Sequence, residues 1–170
     1  MPLREIIKET IATVGADKVK LIDEDLSGYD LSNFNLKKVN LTRANLQNAN
    51  LKGIKMNEAI LEWTDFTRAD LTDADLSKAQ MFRANFEEAI LENCNLKETY
   101  LGKVNLRGAN LKKADLSKAK LNYADLRNAN LEDTNMEGID LRWSRYNSHT
   151  VWPNEKFDPS LTGAILYERE

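Results

Sequence analysis

The sequence predicts an all-β solenoid of square cross-section, on three observations. From Leu21 to Leu141 every fifth residue is apolar, twenty-five times, with no slip in phase. Two residues before most of these stands a smaller one, commonly alanine, as at Ala44, Ala49, Ala59, Ala69, Ala109 and Ala129. Asn or Asp usually fills the place between them, as in Ala44-Asn45-Leu46 and Ala69-Asp70-Leu71. A straight helix advances about 100° per residue, so residues five apart would scatter around its axis. A straight strand alternates faces and would throw successive leucines to opposite sides. A chain that turns inward once per repeat keeps both apolar positions inside. Turns of about 90° close a square after four repeats, and the next repeat starts a new layer.

Layers of twenty residues make residues twenty apart into neighbours. Lys38, Glu58, Lys78, Glu98 and Lys118 alternate in sign at that spacing, the favourable arrangement for adjacent strands. Phe66 and Phe86 stack at the same spacing inside. Leucine fills one inward row without exception, at Leu31, Leu51, Leu71, Leu91, Leu111 and Leu131. The Asn/Asp row is expected to bond nearby backbone at the turns, as these side chains commonly do. Carboxylates such as Asp65, Asp70 and Asp75 therefore read as structural.

The repeat A-(D/N)-L-x-x resembles that of the pentapeptide-repeat proteins over about three-quarters of the chain. The resemblance implies a right-handed quadrilateral parallel β-helix of about six coils, about 29 Å long at a strand spacing of about 4.8 Å. The segment from Asn147 to Pro153 (N-S-H-T-V-W-P), with Phe157-Asp158-Pro159, resembles tails of bacterial, often cyanobacterial, members.

Three regions are expected: an N-terminal α-helical cap over 1–20, the β-helix over 21–145, and a C-terminal cap segment over 146–170. Leu3, Ile6, Ile7, Ile11 and Val14 recur at helical spacing between Pro2 and Gly15. Such a helix suits a lid over the first coil, with a membrane or partner anchor as the other reading. The bulky Tyr29, Phe34 and Val39 in small inward positions of that coil are expected to fill space against it. From Trp143 the repeat dissolves into an aromatic segment with Pro153 and Pro159, and prolines argue against another ordinary ladder strand. The tail reads as a second lid or as a dimer contact, so the chain is expected to be a monomer or a homodimer through a terminal cap.

Composition narrows function by exclusion. No apolar run approaches the about 18 residues that span a bilayer. No secretory leader is evident at the N-terminus, and a cytoplasmic location is expected. Cys94 stands where alanine usually does and reads as a buried small hydrophobe. The one histidine, His149, has no partner pattern for nucleophilic catalysis, and no phosphate loop, dinucleotide fingerprint or zinc spacing occurs. A non-enzyme is expected, with no cofactor, metal or small-molecule substrate.

One corner departs from the polar pattern. Its last repeat position reads Arg43, Trp63, Arg83, Lys103, Tyr123 and Trp143, twenty residues apart. Phe82 lies beside it, and Ile60 and Tyr100 break the adjoining Asn/Asp row. This aromatic and basic ridge is either packing between layers, guanidinium on indole, or a surface for a protein partner. The family resemblance also implies a competing role, that of a DNA mimic inhibiting or protecting DNA gyrase. Mimicry needs a dominantly negative surface. With 24 basic against 27 acidic residues the net charge is only −3, which weighs against mimicry, although Asp65, Asp70, Asp73 and Asp75 are a candidate acidic patch. The overall charge is equally wrong for direct nucleic-acid binding. The leading expectation is a rigid scaffold that binds another protein through an outward face.

Overall fold

Five residues suffice for one side and one corner of a square because each repeat contains a tight turn. From Tyr29 onward, the amide two residues before each inward leucine donates to the carbonyl of the preceding inward residue, as Ala44 does to Leu41 at 2.9 Å. The third residue of each repeat has φ near +60°, at every corner from Asp23 to Trp143, while the second does not. Positive φ confined to the third position of an i→i+3 bonded turn is the type II geometry. Glycine takes this corner only at Gly28, Gly53, Gly108 and Gly138; elsewhere a side chain is held there. Left-handed backbone costs an L-residue roughly 1–2 kcal/mol. The corner amide recovers that cost by donating along the axis, as Arg43 does to the Glu62 carbonyl at 3.0 Å.

The computed structural model describes residues 5, 7, 9, 13, 15–19 and 21–168. They form a quadrilateral parallel β-helix. Parallel bridges step by twenty residues without slip from Asp25–Asn45 to Asp125–Arg145. Four faces result, each named by its central row. Face 1 carries Asp25, Asn45, Asp65, Asn85, Asn105 and Asp125; face 2 begins at Asp30, face 3 at Asn35. Face 4 carries Asn40, Ile60, Gln80, Tyr100, Lys120 and Asp140. The inward leucines are buried, Phe66 and Phe86 stack at 4.6 Å between centroids, and Cys94 is buried where desolvation pushes its thiol pKa up. Buried threonine hydroxyls in the small row find carbonyls, Thr64 that of Leu41 at 2.8 Å and Thr134 that of Leu131 at 2.8 Å, whereas the buried Ser144 hydroxyl has no partner among the described residues.

Each repeat has five amides, and the backbone uses four: one in the turn, two toward the next coil and one toward the previous coil. The fifth belongs to the residue after the leucine. The Asn or Asp two residues earlier accepts from it through Oδ1, as Asp65 does from the Thr67 amide at 2.9 Å. These side chains also link coils, with Asn45 Nδ2 donating to Asp25 at 3.0 Å and Asn135 Nδ2 to Asp115 at 3.1 Å. The expected backbone role of this row is thereby met.

The ends differ from the sequence expectation in detail. Glu5, Ile7, Glu9 and Thr13 are helical, and Ile7 is buried in the core cluster. Leu3, Ile6, Ile11 and Val14 lie outside the described residues. Val39 is buried, but Tyr29 is 38% exposed and does not fill the first coil as expected. At the other end the coil does not stop at 145. Thr150, Val151 and Trp152 take the small, central and leucine positions of a further layer, and Val151 bridges Asn130. One extra residue in the preceding corner shifts this bridge to twenty-one residues. There the Asn147 side chain, in place of a backbone carbonyl, accepts from the Asn128 amide at 3.0 Å. Pro153 is tolerated because it takes the repeat position whose amide the backbone leaves unused, while its carbonyl still accepts from the Asp133 amide at 3.2 Å. Strand β1 (Arg145–Tyr146) then pairs in parallel with β2 (Ile165–Leu166), and Trp152 packs edge-on to Tyr146 and flat on Phe157.

Two tests follow from the turn geometry and the Asx bonds. At the exposed corner Lys113, glycine should leave stability about unchanged. Valine should lose about 1–2 kcal/mol in urea unfolding, because a β-branched residue resists positive φ. The half-buried carboxylates define the acid limit. Burial raises the pKa of Asp65, but bonds from Thr67, Gln47 and Asn85 outweigh it and the net shift is downward. Burial likewise opposes the Arg127 bonds at Asp125, and again the net shift is downward. A depressed folded pKa contributes stability above the unfolded value, lost as pH falls through the folded one. Urea midpoints should therefore be flat from about pH 5 to 8 and fall below about pH 4. Asp65→Asn should make that fall shallower.

Candidate protein-binding ridge

The candidate ridge is built on the corner between faces 4 and 1. Arg43, Trp63, Arg83, Lys103, Tyr123 and Trp143 occupy the left-handed turn position, from which the side chain projects outward, and Phe82 the turn position before it. Successive coils set Trp63, Arg83, Lys103, Tyr123 and Trp143 one above another along the axis. The Arg83 guanidinium lies over the Trp63 ring at 4.5 Å and reaches the Phe82 ring at 5.5 Å. Lys103 Nζ stands 5.9 Å from the centres of both Phe82 and Tyr123, and Tyr123 stacks on Trp143 at 6.4 Å. Phe82 finds room because Gly102 has no side chain; a Cβ there would lie 3.3 Å from the Phe82 ring. Arg43 is in line but turned away, with Nε donating to Asp23 at 2.5 Å. That hydrogen bond raises the Arg43 pKa and lowers that of Asp23.

Packing between coils therefore occurs, as the first of the two readings holds, but it does not cover the ridge. Trp63 is 49% exposed, Tyr123 53% and Trp143 57%. Each cation–π contact contributes about 0.5–1 kcal/mol at such exposure. That is too little to require aromatic side chains at positions where backbone geometry disfavours them.

Tyr100 belongs to the adjoining face rather than to the corner itself. It heads a departure that the corner residues alone do not reveal. Of the twenty-four central positions from Asp25 to Asp140, eighteen are Asn or Asp, and every one accepts from the amide two residues on. The six exceptions are Lys55, Ile60, Gln80, Ile90, Tyr100 and Lys120. Four of the six are consecutive on face 4. Gln80 and Lys120 do not stand out in the sequence by residue type, although the twenty-residue spacing through Ile60 and Tyr100 runs directly onto both. Lys120 Nζ covers the Tyr100 ring at 4.7 Å, and Tyr100 with Lys78, Glu98, Lys118 and Lys120 lines a shallow groove of about 500 Å³.

The candidate acidic patch does not form. Asp65, Asp70 and Asp75 stand on faces 1, 2 and 3, because a step of five residues is a quarter turn. Asp70 is held by Thr72 and by Lys52 at 3.1 Å, and Asp73 accepts from Asn93 at 3.1 Å. His149 is exposed, and among the described residues no group of His, Cys, Asp and Glu could hold a metal ion. No helix among them is long and apolar enough to cross a membrane.

Comparison with known proteins agrees with the repeat geometry. Residues 69–146 match the model of the pentapeptide repeat region, and 25–57 and 44–81 match that of pentapeptide repeats (8 copies). Among solved structures the chain is similar to HetL, a pentapeptide repeat protein involved in heterocyst differentiation regulation from the cyanobacterium Nostoc sp. strain PCC 7120. The identity is 26% and the TM-score 0.67, over 82% of this chain and 64% of that one. The chain thus spans less than two-thirds of HetL. Trypsin-treated QnrB1, a plasmid-mediated fluoroquinolone resistance protein, is 15% identical at a TM-score of 0.51, over 88% of this chain and 91% of that one. That likeness is one of fold. No curated protein matches the sequence. The repeats, the coil and the family models together identify the chain as a member of the pentapeptide-repeat family, a right-handed quadrilateral β-helix.

Proposed function

We propose that the protein is a rigid, non-enzymatic interaction module that binds another protein through face 4 and the ridge beside it. One observation carries this reading. Face 4 gives up the Asx bond at four consecutive layers, and the corner next to it holds half-exposed aromatics in left-handed backbone. Local rules broken together at one place, without a compensating gain inside the fold, are what a functional surface looks like. Aromatic side chains and arginine are also the residues that most often anchor protein interfaces. A β-helix suits the task because its faces are held in place by axial hydrogen bonds. The carboxylates spread over separate faces give no support to mimicry of duplex DNA.

The test is a double substitution, Trp63→Asn with Tyr123→Asn, since asparagine tolerates the left-handed corner. The variant should unfold within about 1–2 kcal/mol of the parent, the worth of the ring contacts removed. A tagged intact chain should capture a partner protein from the source cells that the variant no longer retains. Equal capture by both forms, or a much larger loss of stability in the variant, would leave the ridge as internal packing.

A further inference from the structure

The middle of face 4 carries a concentration of unpaired positive charge that the ridge does not account for. Three layers meet there, formed by residues 77–83, 97–103 and 117–123. They hold six cations and one carboxylate, Glu98, for a net of +5 on a chain whose total is −3; the rest of the chain therefore carries −8. Lys78 is the one cation with a carboxylate partner, Glu98 at 4.0 Å. Arg83, Lys97, Lys103, Lys118 and Lys120 are exposed, and among the described residues no ion pair engages them, although Lys120 feels the charge of Asp140 one layer on, which Arg142 holds at 2.7 Å. This is unlike the first coil, where Lys37 and Lys38 both reach Glu58 and Arg43 is held by Asp23. The patch is also bounded. One layer toward the N-terminus lie Glu58 and Glu62, and one layer toward the C-terminus lie Glu137 and Asp140.

We infer that this patch receives a short acidic segment of a protein partner, its carboxylates between Lys97, Lys118 and Lys120 on one side and Arg83 and Lys103 on the other. The inference rests on the protein-interaction reading above and gives the partner its chemistry. The three central rows span only about 10 Å at about 4.8 Å per layer. That is the length of roughly three or four extended residues. A nucleic acid running along the groove would meet carboxylates at both ends of the patch and the −8 remainder beyond them, whereas a short peptide segment ends inside. Tyr100, Phe82 and Tyr123 offer apolar surface among the cations, so a segment mixing carboxylates with apolar side chains fits better than a purely charged one.

The experiment uses the full chain and a fluorescent peptide of about four residues alternating glutamate with leucine, the length the patch accommodates. Anisotropy should show saturable binding, weakened about tenfold or more between about 50 and 500 mM salt, as screening demands. The glutamine counterpart should not bind. The variant Lys97→Glu/Lys118→Glu/Lys120→Glu, checked for unchanged thermal unfolding, should bind the peptide at least about tenfold more weakly. Lys55→Glu with Lys113→Glu, away from face 4, should bind it as the parent does. Equal binding by the triple variant would overturn the inference, as would displacement of the peptide by a thymidylate oligomer of the same length at lower concentration. Retention of a captured partner by the triple variant, with loss on Trp63→Asn/Tyr123→Asn, would also overturn it while leaving the interaction reading intact.

Discussion

The structure depends on one backbone constraint: a left-handed residue every fifth position. It closes a type II turn, turns the chain through a quarter circle and brings the same repeat position back after twenty residues. With the register so set, two amides of each repeat reach the next coil and one reaches the previous one, while the turn takes a fourth. The inward columns follow from the same register. Leucine stacks on leucine, Phe66 on Phe86, and the small row leaves space for both. Burial contributes roughly 1.5–3 kcal/mol per leucine, but the corner decides which residues are buried at all.

Outward positions are freed by the same device. Corner and face side chains do little for the core, and the Asn/Asp row serves mainly to satisfy the fifth amide. Where that duty is dropped, the sequence can carry chemistry for another molecule. Face 4 drops it at Ile60, Gln80, Tyr100 and Lys120, and the corner beside it holds Trp63, Tyr123 and Trp143. Arg83, Lys103 and Lys120 lie against ring faces rather than carboxylates, so they remain available as charges. Elsewhere opposite charges are paired along the axis, Arg68 with Glu88 at 2.6 Å and Lys112 with Glu132 at 2.7 Å. Five neighbouring cations without an ion pair among the described residues on one face, against one carboxylate, give the molecule a preferred side.

Much of this was legible in the sequence because the period is itself a structural coordinate. The coil, the inward rows, the stacked phenylalanines and the column through Arg43, Trp63 and Arg83 all follow from counting by five and by twenty. Three features escaped that count. Asp65, Asp70 and Asp75 look adjacent in the chain, yet each quarter turn moves the next to another face. The extra residue near Asn147 hid the continuation of the coil into Val151 and Trp152, since the spacing no longer matched. Lys118 and Lys120 fall within the count, but that no ion pair among the described residues engages them is a matter of side-chain placement, which spacing does not give. Tyr29, 38% exposed in a small position of the first coil, shows the same limit at that end.

The most direct test of the account is disulfide formation between corners. In a Cys94→Ala background, Arg68→Cys with Glu88→Cys joins two left-handed corners one coil apart, about 4.8 Å between strands and within disulfide reach. Arg68→Cys with Asp73→Cys joins two corners adjacent in the chain but on different edges of the square. The account expects mild oxidation to close the first pair nearly completely and the second hardly at all. Closure of the second pair with the first left open would contradict the twenty-residue coil and everything placed upon it.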